Sequence, residues 1–278
     1  KVQKAGLGNQ HDLVGRFFMD HLTFSSGVFL PSDPYLAAGF YSVNWAKKFM
    51  GFLTLSAGTL RRERLLNFMA SLGPEWSQSI LSLKRLMSGA RQGDVPDHFL
   101  QHLSNVITGI DDVASATYGR LFKGSFPVKW FVFDNVTEQA PNADSRVTLA
   151  PERDEIGVNR VRLDWRLSAL DKRSIRRAYE IIGQEAGRAG LGRVQITLDD
   201  ADNSWPSRLQ GAYHHMGTTR MHDDPKKGVV DANCRVHNVA NLFIAGSSVF
   251  PTSGSANPTL TIVALAVRLA DHLKRLMR

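Results

Sequence analysis

Four of the nine histidines fall in one short stretch, His214, His215, His222 and His237, with Cys234 three residues before the last. Imidazole titrates near pH ~6.5 when unperturbed, so such a cluster can supply a neutral base at pH 7 or ligate a metal. A metal reading has some spacing in its favour: His215 and His222 lie seven apart, and a Cys-x-x-His pair follows. Against it, Cys234 is the only cysteine, so the C-x2-C half of a zinc site is missing. Taken singly, His222 and His237 read as hydrogen-bonded histidines of a structured surface. A serine hydrolase is the other rival, and Gly246-Ser247-Ser248-Val249 lacks the G-x-S-x-G elbow that such an enzyme needs.

What lies around Ser247 points elsewhere. Phe243, Ile244 and Ala245, within Leu242–Gly246, predict a short apolar strand. It runs into a Gly-, Ser- and Pro-containing loop to Asn257, and Pro258 then opens an apolar helix from Thr259 to about Leu276. Proline suits the first helical position because its missing N–H has no partner there anyway, and Asn257 is a good N-cap. A strand, a loop of small residues and a helix N-terminus together aim backbone N–H groups at an anion or a developing negative charge.

Other elements must position these residues. Thr23–Leu30 reads as a strand. Positions 34 to about 123 read as helical, with Leu65, Leu66, Phe68, Met69 and Leu72 at helical spacing, and Asp97–Tyr118 as one helix capped by Asp94 or Asp97. Val128–Phe133, Arg146–Leu149 and Val158–Leu167 alternate as strands of an antiparallel sheet with one wet face. A helix from about Asp171 to Arg188 and a strand over Arg193–Leu198 complete the middle of the chain.

The ordered series Tyr213-His214-His215-Met216-Gly217-Thr218-Thr219-Arg220-Met221, Gly228-Val229-Val230-Asp231, Arg235 to Phe243, Ser247 to Thr252 and Ala256-Asn257-Pro258-Thr259-Leu260-Thr261-Ile262 resembles the C-terminal half of the glucose–methanol–choline (GMC) family of FAD-dependent oxidoreductases. Gly8-Asn9, Val14-Gly15-Arg16 and Met19-Asp20-His21 are similar to the segment that leaves the family's N-terminal FAD portion. Pro141-Asn142 and Ser145-Arg146-Val147 resemble the start of its substrate-domain sheet. The family's N-terminal G-x-G-x-x-G fingerprint is missing: Gly6-x-Gly8 has no third glycine and no preceding strand. The first residues lack an initiator Met and a signal-peptide core, so the chain is expected to be a C-terminal fragment or a processed product.

The resemblance implies an α/β (α+β) fold in four parts. Residues 1–33 leave the FAD-binding portion, 34–124 form a helical insertion or cap, 125–212 an antiparallel substrate-domain sheet and helix, and 213–278 the C-terminal FAD-binding and catalytic segment. It implies oxidation of a CH–OH group, of an alcohol with sugars and polyols among the candidates, by proton abstraction and hydride transfer to FAD. His214, first of the H-x-x-G-T run, would be the base, with His215 ranked second. Asn257 would hydrogen-bond the substrate oxygen. Pro258 and Thr259 would approach the flavin edge that gathers negative charge, with Thr259 donating its backbone N–H, and Ala245 and Gly246 would pass the ribityl and phosphate part. Tyr213 and Trp205 are open between pocket lining and core packing, Arg220 between cofactor, loop carbonyl and acidic substrate, and Cys234 reads as structural. The alternative is a non-catalytic remnant or subunit that works only against an N-terminal FAD-binding half.

Composition bounds the partners. The net charge of +8 over 278 residues is spread along the chain rather than concentrated on one element interleaved with aromatics, which argues against a nucleic-acid module. No run approaches the ~20 apolar residues of a membrane span. The expected partners are a small alcohol or sugar and an electron acceptor (oxygen, a quinone or another carrier). The expected compartment, by default, is the cytoplasm.

Overall fold

The computed structural model describes residues 5–41, 51–199 and 204–278. Its centre is a mixed, largely antiparallel α/β arrangement. Strands β1 (Leu22–Pro31), β2 (Leu53–Thr54), β3 (Phe68–Glu75), β4 (Trp130–Thr137), β7 (Gly192–Ile196) and β8 (Gln210–Gly211) form one sheet. Its order is β2-β3-β4-β1-β7, with β8 also on β1. Strands β5 (Arg146–Arg153) and β6 (Asn159–Asp164) form a separate hairpin. The helices are α1 (Ala57–Glu63), α2 (Gln78–Gln92), α3 (Phe99–Thr108), α4 (Ile110–Tyr118), α5 (Ala169–Arg188) and α6 (Thr259–Leu276).

Helix α5 covers one face of the sheet. Its start is closed by a capping box between Ser168 and Asp171, and it buries Ile175, Ala178 and Tyr179. The ring of Tyr179 packs edge-on to Phe68 and Phe133, and its hydroxyl donates to Asn135 Oδ1 at 2.7 Å. Gly27 lies beneath that ring: a Cβ there would sit 3.0 Å from the Tyr179 ring carbon Cε1, and the β1–β4 register shifts between Ser25 and Val28 at the same place.

Two expectations in the helical stretch are corrected. Residues Phe68, Met69 and Leu72 lie in strand β3, paired residue by residue with β4 from Phe68 opposite Thr137 to Glu75 opposite Trp130. The short apolar run fits either period, and the cross-strand partners decide it. Helix α1 stops before it because Arg64 turns left-handed at φ 53°. The single helix expected over Asp97–Tyr118 is two, α3 and α4, meeting at Gly109. A Cβ on Gly109 would lie 2.4 Å from Ser79 Oγ, so the break coincides with a close approach to α2. His98, not Asp94 or Asp97, precedes α3, and it makes no side-chain cap.

A second core lies under the C-terminal segment. Met19, Met216, Val229, Val230, Cys234, Val236, Val249, Phe250 and Leu269 pack together, joined by Leu13, Val14, Ile262, Leu265 and Leu273. The strand expected over Leu242–Gly246 does not form. Only an isolated bridge from Phe243 to Arg235 is present, since no described strand lies alongside to continue a ladder. Two apolar surfaces are left open: Leu260, Val263 and Val267 along one side of α6, and Leu149, Val161 and Leu163 across the β5–β6 hairpin. Among the described residues, no helix is long and apolar enough to cross a membrane.

Candidate active site

The Asp20-His21 pair, just before β1, is buried, at 4% and 0% exposure. Asp20 holds its own end of the chain and the distant 211–214 turn at once. Its Oδ1 accepts from the backbone N–H of His21 (2.7 Å), His214 (2.9 Å) and Ala212 (3.2 Å), while its own N–H donates to Gln139 Oε1 (3.0 Å). A carboxylate with several amide donors satisfies buried polar groups that would otherwise be costly. Gly211 has no room for a side chain here, since a Cβ would fall 2.3 Å from Asp20 Oδ2.

That turn presents His214. Its ring Nδ1 lies 3.0 Å from Nδ1 of His21, with the two rings edge-on at 5.0 Å between centroids. The other nitrogen of His21, Nε2, faces the carbonyl of Ser253 at 3.4 Å. His214 Nε2 hydrogen-bonds to no described residue, and the side chain is half-buried. Burial holds the His21 imidazole below its ordinary value, with the neighbouring His214 adding to the effect. The Ser253 carbonyl and the charges of Asp20 and Glu138 oppose it. His215 points differently: its ring is largely exposed, 5.2 Å from the Phe18 ring, with Nε2 3.6 Å from Asp20 Oδ2.

The loop that follows Gly246 is tied to the same cluster. Gly217, Thr219 and Met221 donate backbone N–H groups to Ser247, Ser248 and Val249, and Ser247 Oγ donates to the His215 carbonyl at 2.7 Å. Further along, Ser253 faces His21 and accepts from Gln139 N at 3.2 Å, and Gly254 N donates to Glu138. Gly246 adopts φ +124° with open space where a Cβ would be, and Ala245 beside it is exposed.

The loop ends at α6. Pro258 occupies the cap position with no side-chain cap, so the expected capping by Asn257 is not made. The Pro258 carbonyl accepts the first intrahelical bond, which makes Pro258 the half-in residue, one position later than Asn257. Asn257 is exposed, and no hydrogen bond joins it to His214 or to any other described residue. The first intrahelical bond runs from Ile262 N to Pro258 O, so the N–H groups of Thr259, Leu260 and Thr261 have no intrahelical partner and lie on exposed residues.

This donor set fits the group that the sequence resemblance implies. An uncapped helix start of 18 residues offers backbone N–H groups and roughly half a positive charge to an anionic edge. Open backbone at Ala245 and Gly246 leaves room for a large ligand to approach. Thus His214 and the 246–254 loop are brought into one hydrogen-bonded unit, while Asn257, Pro258 and Thr259 follow on the same loop without touching the histidines.

The remaining candidates are placed as follows. Tyr213 is 90% exposed. Trp205 packs edge-on to Phe24 in the sheet core. The Arg220 guanidinium lies over the Phe17 ring and reaches the Pro251 carbonyl at 3.4 Å. Cys234 is buried and free. His222 and His237 brace a loop: His237 Nε2 meets the His222 carbonyl, and Asp224 N donates to His222 Nδ1. Among the described residues, no three His, Cys, Asp or Glu side chains gather as a metal site. The role of His21 and Asp20 escaped the sequence reading, because only the fold brings the start of β1 against the 211–214 turn. The adjacent Asp-His pair was the one available signal. A cavity of about 670 Å³, lined by Phe29, Leu36, Leu53, Leu72, Ile182 and Leu191 among others, lies between sheet and α5 and shares no residue with this cluster.

Comparison with known proteins agrees with the motif order. A family model described as GMC oxidoreductase matches residues 141–266. Paromamine 6'-oxidase of Streptomyces fradiae is 35% identical over 143 residues, 49% of this chain and 24% of that protein. 2-Methyl-1,2-propanediol dehydrogenase of Mycolicibacterium austroafricanum is 35% identical over 143 residues, covering 50% and 24%. The fructose dehydrogenase large subunit of Gluconobacter japonicus is 24% identical over 270 residues, covering 96% and 42%. A solved pyridoxine 4-oxidase from Mesorbium loti superposes with TM-score 0.46 at 17% identity, covering 95% of this chain and 44% of its own. The chain therefore spans about a quarter to two-fifths of the length of these curated relatives. Through its C-terminal segment, residues 141–266, the chain is thus similar to the GMC oxidoreductase family.

Proposed function

We propose that this chain forms the substrate-side and C-terminal part of an FAD-dependent oxidoreductase that acts on the CH–OH group of a small alcohol or sugar. The observation that carries the reading is the placement of His214: Nδ1 is engaged by a buried neighbour, Nε2 bonds to no described residue, and the backbone is pinned by a buried carboxylate. A general base needs this combination of fixed orientation and a free lone pair within reach of the proton it takes. FAD, when bound, supplies the acceptor for the hydride that leaves the carbinol carbon. His214 Nε2 takes the hydroxyl proton. Asn257 offers an amide to the substrate oxygen, and the N–H groups opening α6 would hold the anionic edge of the bound cofactor. Ala245 and Gly246 give the cofactor a backbone surface without bulk.

The test is anaerobic flavin bleaching in the flavin-loaded protein against a panel of alcohols, sugars and polyols. His214→Ala should slow bleaching by about a hundredfold or more while flavin stays bound. His215→Ala should cost far less. An unchanged rate in His214→Ala removes His214 from the role.

A second reading is favoured by the open apolar side of α6, Leu260, Val263 and Val267. In it the chain is a non-catalytic remnant or subunit that functions only against an N-terminal FAD-binding half. Mixing the purified chain with FAD and desalting separates the two: retained flavin colour supports cofactor binding by this chain, and a colourless protein supports the requirement for a second half.

A further inference from the structure

We propose that His21 sets the tautomer of His214 by accepting its Nδ1–H, which leaves the Nε2 lone pair of His214 free to act as the base. The inference rests on the reading of His214 as proton acceptor and adds to it a positioning residue from the other end of the chain.

Two nitrogens 3.0 Å apart share one hydrogen between neutral rings, so one Nδ1 donates and the other accepts. The far side of His21 decides which. Its Nε2 faces the carbonyl oxygen of Ser253, which can only accept. With the proton on Nε2, His21 donates to Ser253 and its Nδ1 is left as acceptor; His214 then donates through Nδ1, and its Nε2 is unprotonated. The reverse arrangement puts a lone pair of His21 against a lone pair of Ser253 at a position with 0% exposure. It also protonates His214 Nε2, which then cannot take a proton.

Double protonation of His21, which would remove its acceptor, is opposed by the same burial that lowers its affinity for a proton. The acidic groups facing it are otherwise engaged: Asp20 accepts from three backbone amides, and Glu138 accepts from Asn67 and Gly254. His21 also cannot swing away. Its carbonyl accepts from Ala212 N at 3.2 Å, and the next residue, Leu22, begins β1. When His214 gains a proton at Nε2, the Nδ1–H···Nδ1 bond to neutral His21 becomes charge-assisted, which favours the protonated form at the moment it is needed.

The test uses the holoprotein labelled with 15N-histidine, because long-range 1H–15N correlations separate the two neutral tautomers without reference to turnover. Wild type should show His214 protonated on Nδ1. In His21→Asn the side-chain oxygen lies near the position of Nδ1 and can still accept; the tautomer should persist and flavin bleaching should stay within about tenfold of wild type. In His21→Gln the amide lies near the position of Nε2, the acceptor for His214 is lost, and bleaching should fall by about a hundredfold or more with the His214 tautomer mixed or reversed. A wild-type His214 protonated on Nε2, or a His21→Gln protein with unchanged tautomer and rate, overturns the proposal. The wild-type spectrum decides it even if a variant does not fold. Failure of the base assignment shows separately, as a His214→Ala protein that still bleaches.

Discussion

The ring Nδ1 atoms of His21 and His214 lie 3.0 Å apart, although 193 residues separate them along the chain. The contact is held from the side by Asp20, whose Oδ1 collects the backbone N–H groups of His21 and His214 together. One buried carboxylate therefore fixes both backbones whose rings meet.

Asp20→Ala leaves the amides of His21 and His214 without their acceptor, while Ala212 N keeps the His21 carbonyl. An orphaned buried donor costs about 1–3 kcal/mol, and shared relaxation makes a total of roughly 2–4 kcal/mol the expected loss. Asp20→Asn keeps one side-chain oxygen for these amides and should cost less. Thermal melts of the two variants check the order, and equal melting temperatures would refute it.

His21 makes stability depend on pH in a defined direction. Its folded-state affinity for a proton is lowered by burial, whereas the unfolded chain takes one near pH ~6.5. Between that value and the lower folded one, the unfolded state binds more protons, so stability falls as pH drops through this window. His21→Asn has no such group. Its urea unfolding free energy should fall less than that of wild type between neutral and mildly acid pH, and parallel curves would contradict this.

Gln139 is a buried junction. Its Oε1 accepts from Asp20 N and from Trp165 Nε1 at 2.9 Å, and its Nε2 donates to the Arg166 carbonyl at 3.2 Å. Gln139→Leu, at similar volume, leaves Asp20 N and Trp165 Nε1 without their acceptor, while the Arg166 carbonyl keeps Asn142 Nδ2 at 3.4 Å. A loss of roughly 2–4 kcal/mol is expected, read as a lower urea midpoint at unchanged slope.

Two glycines should behave differently. Gly217 has φ +90°, and a Cβ would lie 2.2 Å from the Phe17 carbonyl oxygen, so Gly217→Ala combines strain with a backbone clash. Gly246 has φ +124° with open space around it. Gly246→Ala should cost only the strain, about 1–3 kcal/mol. Its more specific effect, on the proposed reading, is weaker flavin retention on a desalting column, since the new methyl projects into the approach to the cofactor. Retention equal to wild type would argue that nothing binds against Gly246.

Much of this was legible in the sequence because it was local. The alternating strands, helix α5 and the helix after Pro258 follow from periodicity and turn signals within a few residues. The 213–262 motif series is legible from residue order alone, and it singles out His214. What was misread had short or ambiguous local signals. Phe68–Glu75 became a strand because β4 pairs along its whole length, and Leu242–Gly246 stayed irregular because no described strand lies beside it.

By itself, then, the sequence determined the likeness to the GMC family, the fold class and the histidine pair at 214 and 215. Only the tertiary structure decided which partner each histidine has. His214 and His21 come from segments with no local relation, joined when the start of β1 packs against the 211–214 turn and the Ser253 loop. Hydrogen bonds need partners within about 3 Å, and sequence periodicity carries no information on distance between segments so far apart in the chain.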